Sequence, residues 1–234
     1  MTYYDFHIHS ALSPCGDIDM TPNNIVNMAA LIGLDVIAVA DHNTVGNVRS
    51  VMTAGEKAGV AVIPAMEVET AEEVHILTLY PDWESARYAG EEVYKRLPEI
   101  KNRSDIFGEQ LLMDAHDNIV GQEEKLLISS TTLTVNMLFD LVEEAGGLFV
   151  PAHVDRHSYS VLTNLGFIPD DLPIGCVEIS KRVTDLEAYL NSRPELREYR
   201  ILRNSDAHYL QDIGDRDACI SCSVESIFSE WRKR

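Results

Sequence analysis

Short apolar runs that end in histidine or carboxylate residues are the feature that most constrains the fold of this chain. Six of the eight histidines lie at the ends of such runs, most of them beside carboxylates. The first cluster spans residues 5–10 (DFHIHS), and the last spans residues 204–208 (NSDAH). Neutral imidazole and carboxylate groups suit first-row divalent metals as ligands. Fold maintenance alone does not require so many of them at strand ends, so the pattern predicts a multinuclear metal site.

The apolar runs alternate with helical patterns along the chain. The seven candidate strands are residues 3–8, 35–40, 60–65, 74–80, 147–152, 176–180 and 200–205. Most of them are apolar on both faces, as expected for strands buried in a parallel sheet or barrel. The candidate helices are residues 24–32, 48–58, 84–97, 134–145, 185–191 and 226–232. Strand–helix alternation with short connections predicts an α/β fold, either a barrel or a doubly wound sheet.

One connection is too short for this alternation. Only residues 68–73 separate Glu67 from the run at residues 74–80. A parallel crossover needs roughly a dozen residues or more. We therefore expect residues 74–80 to run antiparallel, which places His75 near the same end of the sheet as Glu67.

Residues 102–133 lack a strand–helix unit of their own. Within this segment, runs at residues 111–113 and 125–129 flank the turn-like pair Asp117-Asn118. The pattern predicts a hairpin-like insertion, of the kind that forms a lid or a wall beside a substrate site.

Length and charge narrow the classes of function. The 234 residues suit one domain over residues 1–234, since α/β barrels often have this length. With 19 basic and 38 acidic residues, the net charge of −19 repels nucleic acid backbones and anionic membranes. We therefore expect neither a nucleic acid polymer nor a membrane as partner. No basic and apolar leader and no bilayer-length apolar run is seen, so we expect a cytoplasmic protein.

The histidines and carboxylates are spaced to converge. His7 and His9 alternate along the first strand and share a face, so both rings can reach one ion. The others follow later strands: Asp41 and His42 the second, Glu67 the third, His153 the fifth, and Asp206 with His208 the last. Because the carboxyl ends of successive strands meet at one face of an α/β barrel, we predict the metal site there.

Together these motifs resemble the PHP (polymerase and histidinol phosphatase) family of metal-dependent phosphoesterases. The motifs are DFHIHS (5–10), ADHNT (40–44), MEVE (66–69), VHIL (74–77), PAH (151–153) and SDAH (205–208). They cover nearly the whole chain in the family's order, with only residues 102–133 outside. The resemblance implies a distorted seven-stranded (β/α) barrel that holds two or three divalent ions, zinc, manganese or iron. It also implies hydrolysis of a phosphate ester, most simply a monoester.

The resemblance also implies a ligand set. The first ion would be held by His7, His9, Glu67 and Asp206. Glu67 would bridge to a second ion bound by His75 and His153. A third ion would be held by His42, His208 and one further group, for which we predict Asp17. Cys15 is the alternative as a soft ligand, or else a simple loop thiol. Asp5 shares the predicted strand face of His7 and would either orient a ligand ring or bond to a neighbouring loop.

Reactive and substrate-binding groups are predicted around the same ions. A hydroxide bound by the metal pair would attack phosphorus in line, with Glu67, Asp206 and His208 as the catalytic residues. Arg156, Lys181 and Arg182 follow the fifth and sixth strands and would bind phosphate. His157 is a candidate substrate contact, whereas His116 belongs to no motif. The four scattered cysteines, including the Cys219/Cys222 pair, are expected to be ordinary thiols.

We therefore predict a metal-dependent phosphatase that acts on a small phosphorylated metabolite, either a nucleotide or a sugar phosphate. Histidinol phosphatase is the alternative enzyme. The alternative from another class is a non-enzymatic, metal-binding regulatory domain.

Overall fold

The computed structural model describes residues 1–232, and its strand ends surround one buried cluster of histidines. The strands are β1 (Thr2–Ile8), β2 (Val36–Val39), β3 (Ala61–Glu69), β4 (His75–Leu79), β5 (Leu111–Met113), β6 (Ile119–Gln122), β7 (Leu148–Pro151), β8 (Cys176–Glu178), β9 (Arg200–Leu202) and β10 (Cys219–Ile220). The helices are α1 (Pro22–Ile32), α2 (Val48–Ala58), α3 (Trp83–Tyr94), α4 (Ser104–Phe107), α5 (Val135–Glu144), α6 (Val161–Asn164), α7 (Leu186–Ser192) and α8 (Val224–Glu230).

The main sheet has six strands in the order β10-β1-β2-β3-β4-β7. Strands β1, β2 and β3 are parallel, whereas β4 is antiparallel to both β3 and β7. Glu69 pairs with His75 across β3 and β4, so His75 starts its strand where β3 ends. The expected antiparallel direction of residues 74–80 is therefore confirmed, and so is the placement of His75 near Glu67.

All seven predicted strand segments contain strands, and the α/β class is confirmed, but the seven do not form one continuous ladder. Five join the main sheet, whose sixth member is the unpredicted β10, while β8 and β9 form a separate parallel pair. Only an isolated bridge between Ile8 and Ala207 joins the segment after β9 to β1. In that segment, side chains replace the regular backbone ladder: Asn204 Oδ1 accepts from the Phe6 N–H at 3.0 Å. The described residues thus form a curled half-barrel.

Apolar side chains cover both faces of this sheet, which explains why the strands lack polar alternation. On β2, Val36 and Ala38 belong to the inner core, whereas Ile37 and Val39 pack against α1 and α2 on the outside. Helix α1 begins after the N-cap Thr21, whose side chain accepts from Asn24 N, as the Thr-Pro signal predicts.

A bulge in β1 sets the direction of its last side chains. Asp5 pairs with Ile37 and Ile8 with Val39, so Phe6 and His7 together stand opposite one residue of β2. Phe6 lies in the inner core, and His7 also faces inward, toward the histidine cluster. A bulge breaks simple alternation in this way. The prediction that Asp5 shares the face of His7 is therefore wrong, and Asp5 instead accepts hydrogen bonds from the backbone N–H groups of Ser205 and Gly214.

The insertion contains the expected hairpin, although its second arm is displaced. Strand β5 pairs antiparallel with β6, not with residues 125–129. Asp117 has a φ of 62° at the turn, and Asp114 caps the loop through Asn118. Buried Asn47 binds the hairpin: its Nδ2 donates to Leu111 O at 3.0 Å, and its Oδ1 accepts from Met113 N at 2.9 Å.

The sequence predicts neither a membrane-spanning segment nor a disulfide framework. No helix within residues 1–232 is long and apolar enough to cross a membrane. All four cysteines are free thiols, with Cys176 buried.

Replacing Asn47 by alanine is expected to lower the free energy of unfolding by about 3 kcal/mol, because Met113 N and Leu111 O lose their side-chain partner in a buried place. Urea unfolding followed by circular dichroism measures this loss. Asn27→Ala, at an exposed position of α1, is the matched control and should change stability by about 0.5 kcal/mol or less. Equal effects of the two substitutions would contradict the role of Asn47.

Candidate metal centre

Glu67 lies at the centre of the histidine cluster, and its two carboxylate oxygens meet five imidazole rings. On Oε1 the contacts are to His75 Nδ1 at 3.0 Å, His153 Nε2 at 3.1 Å and His7 Nε2 at 3.3 Å. On Oε2 they are to His42 Nδ1 at 3.2 Å and His9 Nε2 at 3.5 Å. All six residues are buried. The ends of β1 and β3, the start of β4, and the residues that follow β2 and β7 supply these groups, as the strand-end pattern predicts.

Asp206 is the second carboxylate of the centre. Its Oδ1 lies 3.1 Å from His9 Nε2 and 3.8 Å from His208 Nδ1, while its Oδ2 pairs with the Arg156 guanidinium. The backbone of Asp206 has a φ of 53° and that of His153 a φ of 30°, conformations that cost energy for residues with a side chain. Such strain is typical of functional sites, where surrounding contacts hold it in place.

Burial and neighbouring charges shift the pKa values of the carboxylates and imidazoles in this cluster. Burial opposes the charged form of Glu67, yet His75, His7 and His42 hold the pKa of that carboxyl well below its usual range. Burial likewise opposes a charge on His75, but the Glu67 carboxylate raises the pKa of His75 to about 9. Burial and the nearby His9 lower the pKa of His208 to about 4, so that ring is neutral at pH 7 and keeps a lone pair free.

The donor set fits divalent cations. His7 Nε2 and His42 Nδ1 are buried and lack a hydrogen-bond partner within residues 1–232, although both face the Glu67 carboxylate. Ring nitrogens that crowd a carboxylate without sharing hydrogen bonds are suitably placed to bind a cation. Three sets of ligand atoms lie mutually within 4.8 Å: His7, His9 and Asp206; His42, Glu67 and His75; and His9, Cys15, His42 and His208.

Most of the predicted ligands therefore come together, and Asp17 does not. His153 joins through its contact with Glu67. The Asp17 carboxylate instead accepts from the Asp19 N–H at 2.9 Å and belongs to none of the three sets. The backbone of this loop turns Cys15 toward the cluster, because Gly16 N bonds back to Ser13 O and Asp17 N to His208 O. Cys15 thus occupies the place predicted for Asp17.

Sequence reasoning missed Glu178, which supports two of the histidines from outside the cluster. Glu178 Oε2 lies 2.9 Å from His7 Nδ1 and accepts from Asn204 Nδ2 at 2.7 Å. Its Oε1 accepts from the backbone N–H of His153 at 3.0 Å. A carboxylate on the far ring nitrogen fixes the tautomer and leaves Nε2 free for a metal. The available signal was a lone glutamate inside the apolar sixth strand.

Asp41 supports the cluster through a serine. It accepts hydrogen bonds from the hydroxyls of Ser10 at 2.6 Å and Ser13 at 2.7 Å. Ser13 Oγ in turn lies 3.1 Å from His9 Nδ1, so the pair orients that ring from behind.

The cluster forms the floor of a cavity of about 250 Å³. Arg156, Ile128 of the insertion segment and Tyr159 line its walls. Tyr159, which sequence reasoning missed, stacks on His75 with ring centroids 4.6 Å apart and is 45% exposed. The insertion segment therefore contributes a wall to the cavity.

The predicted phosphate contacts lie in two places. Arg156 lines the metal cavity, and its buried Nε has no hydrogen-bond partner within the described chain. Lys181 and Arg182 line an adjoining groove that shares Arg156, Asp206 and His208 with the cavity. His157 is exposed and is not among the residues that line the cavity, and His116 is exposed in the insertion.

Comparison with known proteins identifies the family. The model of the PHP domain matches residues 5–150, which is more than half of the chain. The chain belongs to the PHP domain family. It is therefore a hydrolase of the metal-dependent phosphoesterase type, and the non-enzymatic alternative is disfavoured.

The individual relatives are distant. A 5'-3' exoribonuclease of Haemophilus influenzae is 32% identical over 79 residues, 32% of this chain and 28% of that protein. A lesion-specific endonuclease from Pyrococcus furiosus has a TM-score of 0.60 at 21% identity, covering 89% of this chain and 49% of the other. A protein from Bifidobacterium adolescentis described as a metal-dependent phosphoesterase has a TM-score of 0.54 at 19% identity, covering 88% of both chains. This chain thus covers half or less of the length of each of the two nucleases.

The expected partners are contradicted by a second endonuclease Q structure with this fold. Endonuclease Q, with a TM-score of 0.58 at 20% identity over 89% of this chain and 49% of its own, has been crystallised with a 27-mer duplex substrate carrying an abasic lesion at the active site. The expectation of a small phosphorylated metabolite and no nucleic acid polymer is therefore wrong for this fold. The formal value of −19 counts carboxylates such as Glu67 and Asp206, whose charge divalent cations held at the centre would offset locally.

Glu178→Gln is expected to weaken metal binding about 10- to 100-fold, since groups that orient a metal ligand typically contribute that much. The amide NH₂ would face one of three donors: His7 Nδ1, Asn204 Nδ2 or His153 N. Competition with a coloured chelator measures the affinity for zinc. Glu187→Gln, which changes an exposed ion pair with Arg197, is the control and should bind as the wild type does. Unchanged affinity in Glu178→Gln would contradict this role.

Proposed function

We propose that this protein hydrolyses a phosphoester at the end of a nucleic acid strand, using two or three divalent ions, zinc, manganese or iron. The observation that carries the proposal is the cluster at and beneath the cavity, where five imidazole rings and two carboxylates converge beside an arginine. Divalent ions held there would activate water and neutralise charge on the phosphoryl oxygens.

The protein's own residues supply binding and orientation. Arg156 lines the cavity wall with a side chain that is 26% exposed, so its guanidinium suits a phosphoryl oxygen. Its other contact, to Asp206, fixes the guanidinium next to the ligand set. Glu178 and the Asp41–Ser13 pair hold the rings of His7 and His9 in one orientation. Glu67, Asp206 and His208 would be the groups nearest to the reaction.

The size of the cavity favours a strand end. At about 250 Å³ its volume lies just below the range of ligand pockets, which is roughly 300–1,000 Å³. It suits one phosphate and part of a nucleoside better than an internal stretch of duplex. The exoribonuclease likeness points the same way, although it covers 28% of that protein.

The groove beside the cavity suits the rest of the strand. It holds Lys181, Arg182 and the half-exposed ring of Tyr209. Arg182 is exposed and forms no ion pair with any residue among 1–232, whereas Lys181 is paired with Asp215 at 3.0 Å. A free guanidinium and an aromatic face are the groups that bind a backbone phosphate and a base.

The reaction is tested with purified protein, labelled RNA and DNA oligonucleotides and each of the three metals. We expect the wild type to shorten an oligonucleotide stepwise and to lose this activity when a chelator is added. His9→Ala, which removes a predicted metal ligand, should lower the activity at least a hundredfold. His116→Ala, an exposed histidine of the insertion, is the matched control and should keep full activity. Phosphate release from mononucleotides, sugar phosphates or histidinol phosphate, with no shortening of any oligonucleotide, would contradict the proposal.

Arg182→Ala is expected to raise KM for oligonucleotides about tenfold and to leave that for a dinucleotide unchanged. A charge-assisted hydrogen bond contributes about 1.5 kcal/mol, and 1.4 kcal/mol is a factor of ten. Steady-state kinetics on substrates of increasing length give the comparison. Arg193→Ala, which removes an exposed arginine near Glu195, serves as the control. An equal change in KM at all lengths would mean that the strand does not follow this groove.

A further inference from the structure

We propose that Cys15 is a metal ligand, and that with His9, His42 and His208 it forms a sulfur-containing cation site at the mouth of the cavity. This inference deepens the metal centre on which the proposed function rests. The Cys15 Sγ and one ring nitrogen of each histidine lie within 4.8 Å of one another. In a tetrahedral zinc site, bonds of about 2.3 Å to sulfur and about 2.1 Å to nitrogen place these two ligand atoms about 3.6 Å apart. Side-chain adjustments of about 1 Å therefore suffice.

A second observation points to a cation at this place. His42 is more than nine-tenths buried, yet its Nδ1 has no hydrogen-bond partner within the described residues. His208 Nδ1 lies 2.8 Å from the Asp206 carbonyl oxygen, which leaves its Nε2 free. His9 Nδ1 is held by Ser13, and its Nε2 lies 3.1 Å from Asp206 Oδ1. The rings of His42 and His208 thus each present a nitrogen that forms no hydrogen bond within residues 1–232, and the His9 ring lies beside them next to the thiol.

The alternative ligand is directed elsewhere. The Asp17 carboxylate accepts from the Asp19 N–H and belongs to no set of ligand atoms with the histidines. At Gly16 an added Cβ would lie 2.4 Å from Ser10 O, which shows how closely the loop folds back on the end of β1. This close approach fixes Cys15, and not Asp17, on the side of the histidines.

A thiolate changes which metals the site prefers. Sulfur ligands favour zinc and similar borderline ions, whereas oxygen-rich sites suit magnesium and manganese. On binding, the thiol loses its proton to solvent and the sulfur binds the cation as a thiolate. We infer that this site takes zinc, cobalt(II) or iron(II) in preference to manganese, while the sites around Glu67 contain only nitrogen and oxygen donors.

The test is spectroscopic. Metal-free protein of residues 1–234 is titrated with cobalt(II), for which a thiolate ligand gives a near-ultraviolet charge-transfer band, and bound cobalt is counted by elemental analysis. We expect the band in the wild type. Cys15→Ser should lose the band and should also bind one equivalent of cobalt less than the wild type. Cys15→His should lose the band and keep that equivalent. Cys219→Ser, an exposed thiol near Met1, should retain both.

The outcomes separate this inference from the proposed function. A cobalt band that persists in Cys15→Ser, or that is absent from saturated wild type, would overturn the ligand assignment whatever the activity. A Cys15-dependent band in a protein that shortens no oligonucleotide would support the ligand and contradict the function. Circular dichroism of the metal-free variants checks that they fold. If Cys15→Ser fails to fold, the number of cobalt equivalents bound by Cys15→His still tests the ligand assignment.

Discussion

The rest of the structure depends on the buried carboxylate of Glu67 and the imidazole rings that surround it. An isolated buried carboxylate is costly, so each ring must arrive at a fixed place to compensate it. This requires the ends of several strands to meet at one level. Strand β3 continues beyond the end of β2, and a bridge between His42 and Glu67 keeps the following segment paired. The antiparallel return of β4 then brings His75 back to the same level within a few residues.

The bulge in β1 connects this centre to the core. Because Phe6 and His7 stand opposite a single residue of β2, one fills the inner core while the next reaches the metal centre. The Phe6 N–H bonds to the Asn204 side chain, Asn204 bonds to Glu178, and Glu178 contacts the ring of His7. The group that stabilises the bulge therefore also orients a ligand. A change in this network would affect packing and metal binding together.

The sequence allowed prediction of those features that depend on local pattern. Ligands at strand ends and the reversal after Glu67 follow from periodicity and from the length of one connection. Strand β10 covers only Cys219–Ile220, which is too short to produce a periodic signal. The contribution of Glu178 depends on contacts with His7 and Asn204 that only the folded chain creates. The choice between Cys15 and Asp17 likewise depends on backbone bonds of a loop, because both residues lie at suitable distances along the chain.

Charge gave the least reliable prediction because net charge is a property of the whole chain and binding is local. At physiological ionic strength charges are screened over about 8 Å, so distant surface carboxylates have little effect at the cavity mouth. A phosphate there would meet Arg156, Arg182 and the ions held by the centre, whose charge offsets the buried carboxylates. On the proposed function, the binding of a strand end is therefore set by these few groups around the cavity and the adjoining groove, and not by the net charge of the chain.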